Sequence, residues 1–320
     1  MPAAPAVPRA KPLDPAKFRD PDVTAKGERR ASVALTALRT LWLNTGTLCN
    51  LTCRNCYIES SPTNDRLAYL TAAEARAYLD EIAETGLPTE EIGFTGGEPF
   101  MNPDLPAMLG LALERGFRAL VLTNAMKPMM KQADALLDLL ERFGDRLTLR
   151  VSVDHYAEPL HQIERGPRSW GPTMLGLDFL VRHGFSVRIA GRTVWGEDEH
   201  ALRQGYQRLF DARGVVLDAG DPAHLVLFPE MDAEADVPEI TTACWAILDR
   251  SPDAMMCATS RMVVKRKDAE RPAVVACTLL PYDPQFELGA TLAEAAGAVK
   301  LNHPHCAKFC VLGGASCSAG

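Results

Sequence analysis

Cys49, Cys53 and Cys56 place three thiols within eight residues, in the run Cys49-Asn50-Leu51-Thr52-Cys53-Arg54-Asn55-Cys56-Tyr57. Thiolates hold the irons of iron–sulfur clusters, so three of them leave one iron of a four-iron cubane without a protein ligand and open to something else. That opening suits catalysis better than electron storage. A structural zinc ion is the competing chemistry, but it wants four N or S ligands, and no histidine follows at suitable spacing nearby. Three cysteines buried as small hydrophobes fit poorly, because Asn50, Arg54 and Asn55 make the run polar.

Six more cysteines follow, nine in all. Cys257, Cys277, Cys306, Cys310 and Cys317 are five candidates for what four thiolates would fill, with Cys257, Cys277, Cys306 and Cys310 the preferred set and Cys317 in reserve. The same cysteines would serve a zinc ion as well. Cys244, before Trp245, stands apart: it is either a buried apolar residue or a thiol that donates a hydrogen near the substrate.

The elements that must position these groups alternate. Short β-branched and aromatic runs at 41–44, 91–94, 119–122, 147–153, 186–190 and 225–228 read as strands. Between them, helices are expected at 71–84, 104–115, 131–143, 173–183 and 199–212, the first opened by a capping box of Thr71 and Glu74. Six βα units fall short of a closed eight-unit barrel, so the expected α/β fold is a partial TIM-like (β/α)6 barrel with its site at the C-terminal strand ends. The chain then divides into an arm at 1–40, flexible or wrapping, the barrel at 41–235 and a small cysteine-rich extension at 236–320. That extension should open with a hairpin of strands 262–267 and 273–278, followed by a short helix near 291–299.

The Cys-x-x-x-Cys-x-x-Cys spacing followed by Tyr57 resembles the hallmark of the radical S-adenosylmethionine (SAM) superfamily. The resemblance implies a [4Fe–4S] cluster held by Cys49, Cys53 and Cys56, with SAM on the remaining iron. It also implies reductive cleavage of SAM to a 5′-deoxyadenosyl radical that takes a hydrogen from the substrate. Gly96, Gly97, Glu98 and Pro99, at the end of the second strand, resemble the family's GGEP motif, expected to hold the amino group of SAM. Tyr57, Asn124, Ser152 and Asp154 are the further cofactor contacts that the resemblance suggests, and Arg192 would meet a carboxylate. The stretch from Asp154 to Trp170 and the C-terminal cysteines resemble enzymes with Twitch or SPASM extensions, which implies a second, auxiliary [4Fe–4S] cluster. The three residues between Cys306 and Cys310 depart from the two common in that family. His155 and His161 are candidate acid or base groups.

A net charge of −7 gives no basic footprint for nucleic acid. No apolar run approaches the roughly 18 to 20 residues of a membrane span, and no secretory signal opens the chain. Cysteines in groups suit metal binding in a reducing compartment, so a cytoplasmic location is expected. The expected function is a radical SAM enzyme that oxidises, epimerises or joins a small molecule, with flavodoxin or ferredoxin as reductant. Two rivals remain: a ribosomal-peptide maturase that relies on a separate peptide-binding partner, and a non-enzymatic electron carrier or zinc-stapled binding module.

Overall fold

A computed structural model describes residues 11–230 and 232–313. Eleven strands are assigned there: β1 Ser32–Val33, β2 Thr40–Asn44, β3 Glu91–Thr95, β4 Arg118–Thr123, β5 Leu147–Ser152, β6 Ser186–Arg192, β7 Leu225–Phe228, β8 Ser260–Val264, β9 Ala273–Val275, β10 Glu287–Gly289 and β11 Val299–Lys300. The helices between them are α1 Ala72–Thr85, α2 Leu105–Glu114, α3 Lys127–Met130, α4 Ala133–Phe143, α5 Glu158–Arg165, α6 Trp170–Arg182, α7 Glu199–Arg213 and α8 Cys244–Ile247.

Strands β2 to β7 pair in sequence order and in parallel, as the βα alternation requires. The sheet stays open, an α/β partial barrel rather than a closed one. Alternation along β2 shows how it is packed. Leu41 and Leu43 join the cluster under the helices, while Trp42 points into a second cluster shared with Met262, Phe286 and Phe309. Gly93, beside Trp42 on β3, has no room for a Cβ against the indole.

Helix α1 begins with the expected capping box, Thr71 and Glu74 each satisfying the other's backbone N–H. The hairpin of β8 and β9 also forms, and it is not set apart from the barrel. β8 pairs in parallel with β2, so the C-terminal segment prolongs the same sheet to nine strands. The helix expected near 291–299 is only a 3₁₀ turn at Glu294–Ala296, and Val299 lies in β11. Instead of one helix there, β11 pairs with β1 from the N-terminal arm.

The described part of the arm wraps. Lys17 Nζ donates to Asp236 at 2.6 Å, and Arg30, 2% exposed, pairs with Glu239 at 2.6 Å. The polypeptide from Cys306 to Leu312 forms a π-helical turn that carries Cys306 and Cys310.

Candidate active site

A cleft of about 840 Å³ opens at the C-terminal ends of β3 to β7. Cys49, Cys53 and Cys56, on the loop after β2, form one wall with Tyr57. Gly96, Gly97, Asn124, Ser152, Asp154 and Arg192 complete it from the strand ends. Burial pushes the Cys49 thiol up to about 12 and the Cys53 thiol up to about 11, so both keep their protons until a metal displaces them. Leu51 N–H donates to Cys49 Sγ at 3.4 Å and Ser60 N–H to Cys56 Sγ at 3.3 Å.

The two glycines have a structural cause. A Cβ on Gly96 would overlap the carbonyl of Gly46, and one on Gly97 the carbonyl of Leu48. The turn therefore lies directly on the backbone that leads to Cys49, and Gly97 N–H donates to Gly46 O at 2.8 Å. Glu98 and Pro99 are not in the cleft wall. The Glu98 carboxylate turns inward, accepting from Thr123 Oγ1 and Asn124 N–H, each at 2.8 Å, and from Phe100 N–H at 3.2 Å. Burial pushes its pKa up to about 7. Asn124 in turn donates from Nδ2 to Asn50 Oδ1 at 3.0 Å, so Glu98 steadies the cysteine loop through β4.

Asp154 faces the cleft already paired. Arg165 Nε stands 2.7 Å and Arg192 Nε 3.6 Å from its carboxylate. Burial alone would raise the Asp154 pKa, but the two guanidiniums outweigh it and hold the group below its ordinary value. Arg192 Nη1 is buried without a hydrogen-bond partner among the described residues. Arg165 and Glu164 are contributions that the residue-by-residue sequence reading did not single out. Both lie on α5, within the stretch from Asp154 to Trp170 that was read only as a family resemblance.

His155 and His161 do not line the cleft. His155 accepts from Ala157 N–H at Nδ1 and meets Glu197 at Nε2, 2.9 Å away, which uses both ring nitrogens. His161 is wholly buried beside Trp170, and burial pushes its pKa down to about 4. Cys244 is also absent from the cleft wall. Its Sγ rests against Thr241, accepting from that residue's N–H at 3.4 Å.

A second pocket, of about 410 Å³, is bordered by Cys257, Cys277, Cys306 and Cys310, with Met255 and His305 beside them. Cys317 lies outside the described residues. Burial raises the thiol pKa of Cys257 to about 11, and that of Cys306 well above its usual value. Phe228, which lines the cleft, stacks on Phe309, which lies between Cys306 and Cys310 along the chain, with ring centroids 5.4 Å apart. None of the eight described cysteines is in a disulfide. Among the described residues no three His, Cys, Asp or Glu side chains close in to hold a single metal ion.

Residues 43–202 match the radical SAM superfamily, half of the chain. The chain belongs to that superfamily. It is an enzyme family that uses a [4Fe–4S] cluster and SAM, and the cleft fits both. Three thiols stand on one wall, and a buried arginine donor waits without a partner on the other. The chain is 32% identical over 143 residues to the antilisterial bacteriocin subtilosin biosynthesis protein AlbA of Bacillus subtilis, covering 44% of this chain and 30% of that one. It is 31% identical over 142 residues to an AdoMet-dependent heme synthase of Oleidesulfovibrio alaskensis, covering 44% of this chain and 34% of the other. The match thus spans about a third of each relative's length. In fold it is similar to Streptococcus suis SuiB bound to S-adenosylmethionine, with a TM-score of 0.58 at 12% identity over 80% of this chain and 64% of that one. It is likewise similar to native anSMEcpe with bound AdoMet, with a TM-score of 0.57 at 13% identity over 80% of this chain and 79% of the other. No helix among the described residues is long and apolar enough to cross a membrane.

Proposed function

We propose that the chain is a two-centre radical SAM enzyme that takes a hydrogen atom from a small organic molecule, supplied with electrons by a flavodoxin or ferredoxin. The observation that carries this reading is the shared cleft, in which Cys49, Cys53 and Cys56 face the Gly96-Gly97 turn and the Asp154–Arg165 pair. The cofactors supply reductive cleavage of SAM to methionine and a 5′-deoxyadenosyl radical. The protein's share is binding and exclusion. The three thiolates hold the cluster, the turn at Gly96 and Gly97 brings backbone polar groups to the amino acid part of SAM, and Arg192 Nη1 offers a donor to its carboxylate. Ser152 and Tyr57 border the remaining space. Cys257, Cys277, Cys306 and Cys310 would hold the second cluster, a role supported by their meeting in one pocket.

A peptide substrate is the second reading, favoured by the likeness to the subtilosin biosynthesis protein, whereas the likeness to a heme synthase favours a small molecule. The test is anaerobic reconstitution followed by incubation with SAM and dithionite. Release of 5′-deoxyadenosine and about eight irons per chain are expected. No cleavage would refute the enzymatic reading, and about four irons plus one zinc would refute the second cluster. A peptide that co-purifies and carries deuterium into 5′-deoxyadenosine would replace the small molecule by a peptide.

A further inference from the structure

Only Arg54 and Asn55 separate Cys53 from Cys56, and Asn55 is gripped at three of its polar groups. Its N–H donates to Glu164 Oε1 at 2.9 Å and its Nδ2 to Glu164 Oε2 at 2.8 Å. Its carbonyl accepts from Arg192 Nη2 at 3.0 Å. Arg54 N–H completes the grip, donating to the backbone carbonyl of Glu164 at 2.8 Å. Glu164 is 2% exposed and Arg192 7%. Arg192 Nε also stands 3.7 Å from Glu164 and 3.6 Å from Asp154, which itself holds Arg165. Two carboxylates and two guanidiniums are thus buried together as a balanced set, spanning α5 and the ends of β5 and β6.

Burying such a set is a poor way to gain stability, since well-packed apolar residues would do as well or better. Its chemistry is accounted for by what it grips. Two consecutive backbone N–H groups between Cys53 and Cys56 point at Glu164 rather than at a thiol, while the Leu51 and Ser60 N–H groups point at Cys49 and Cys56 Sγ. We propose that Glu164, backed by Arg192, is a positioning residue for the iron–sulfur cluster: it fixes where the Cys53 and Cys56 thiolates stand and which N–H donors reach them. This rests on the reading that these cysteines hold the cluster.

The test compares the full-length parent with Glu164→Ala and Glu164→Gln, each reconstituted anaerobically. A glutamine still accepts the Asn55 N–H, and it donates to the Asn55 side chain once that amide turns over, so it keeps the grip without the charge. Two readouts are taken: the rate at which iron is lost to a chelator, and the change of the reduced cluster's paramagnetic resonance signal on adding SAM. Glu164→Ala is expected to lose the SAM-responsive cluster about tenfold faster, the usual scale for an outer partner of a metal ligand, and to show an altered signal. Glu164→Gln should restore both. If Glu164→Ala does not fold, Asn55→Ala carries the same expectation, since it removes the side-chain bond alone. Parent-like retention and signal in Glu164→Ala, or in Asn55→Ala where the first does not fold, would overturn the proposal. Failure of Glu164→Gln to restore either readout would overturn it as well. A parent that shows no SAM-responsive signal would instead refute the cluster reading on which it rests.

Discussion

At the scale of single residues, the cleft separates groups that line it from groups that hold those groups still. Cys49, Cys53 and Cys56 belong to the first kind. Their combined replacement by alanine should abolish release of 5′-deoxyadenosine while about half the iron remains, held by the C-terminal thiols. Complete loss of iron would show that the second pocket holds no cluster of its own. Glu98 belongs to the second kind, since its carboxylate is spent on Thr123, Asn124 and Phe100. Glu98→Ala leaves those donors buried without an acceptor, at about 1 to 3 kcal/mol for each donor so stranded. Because Asn124 also holds Asn50, the variant should shed iron as well as SAM, measured as iron per chain after desalting and as SAM affinity. Retained iron with weakened SAM would mean that the carboxylate serves the ligand directly. The motif was legible from the Gly-Gly pair and the strand before it. The direction of the carboxylate was not, because spacing along the chain does not tell which way a side chain turns at the end of a strand.

At the scale of elements, legibility followed the hydrophobic pattern. β2 to β7 and the hairpin of β8 and β9 were visible because their apolar residues alternate or run continuously. α5 was not, and its residues explain why: the buried positions of Glu158–Arg165 are His161 and Glu164, while Ile163 is 37% exposed. The buried positions of so short a helix are polar, so no apolar core-facing stripe marks it in the sequence. Its role is electrostatic, through Glu164 on the cysteine loop and Arg165 on Asp154. Arg165→Ala removes the nearer of the two cations that compensate a carboxylate with only 5% of its side chain exposed. The metal-free chain should lose roughly 3 kcal/mol in denaturant unfolding, the cost of leaving one member of a buried pair behind. Asp154→Asn combined with Arg165→Met should lose less than Arg165→Ala alone. An equal loss would mean that Arg165 contributes packing rather than charge.

At the scale of the whole molecule, the two thiol sites flank one sheet, with β8 paired to β2 and Phe228 stacked on Phe309 between them. The arm closes this arrangement from outside. Its wrapping was left open by the sequence, because the bonds that dock it join residues two hundred or more positions apart, such as Lys17 to Asp236, Arg30 to Glu239 and Leu301 to Ala31. A local pattern holds no record of such pairs. Glu239 accepts from Phe18 N–H at 2.8 Å, Ala25 N–H at 2.7 Å and Arg30 Nη2 at 2.6 Å. Burial opposes its charge, but these three donors outweigh burial and hold its pKa below the ordinary value. A carboxyl whose pKa is lowered by folding adds stability above its unfolded pKa of about 4.3, and that stability is lost as pH falls through the lower, folded value. Asp236 is lowered in the same sense by Lys17. The arm should therefore stay docked at neutral pH and detach first on acidification below about pH 4.3, before the barrel unfolds. Hydrogen exchange of the backbone amides of Ala25, Arg30 and Ala31, followed from neutral to acid pH, would show it as a loss of protection beyond the ordinary pH dependence of exchange. Glu239→Gln should lose that protection already at pH 7. Unchanged protection of these amides in Glu239→Gln would assign the docking to β1 and β11 rather than to the carboxylate.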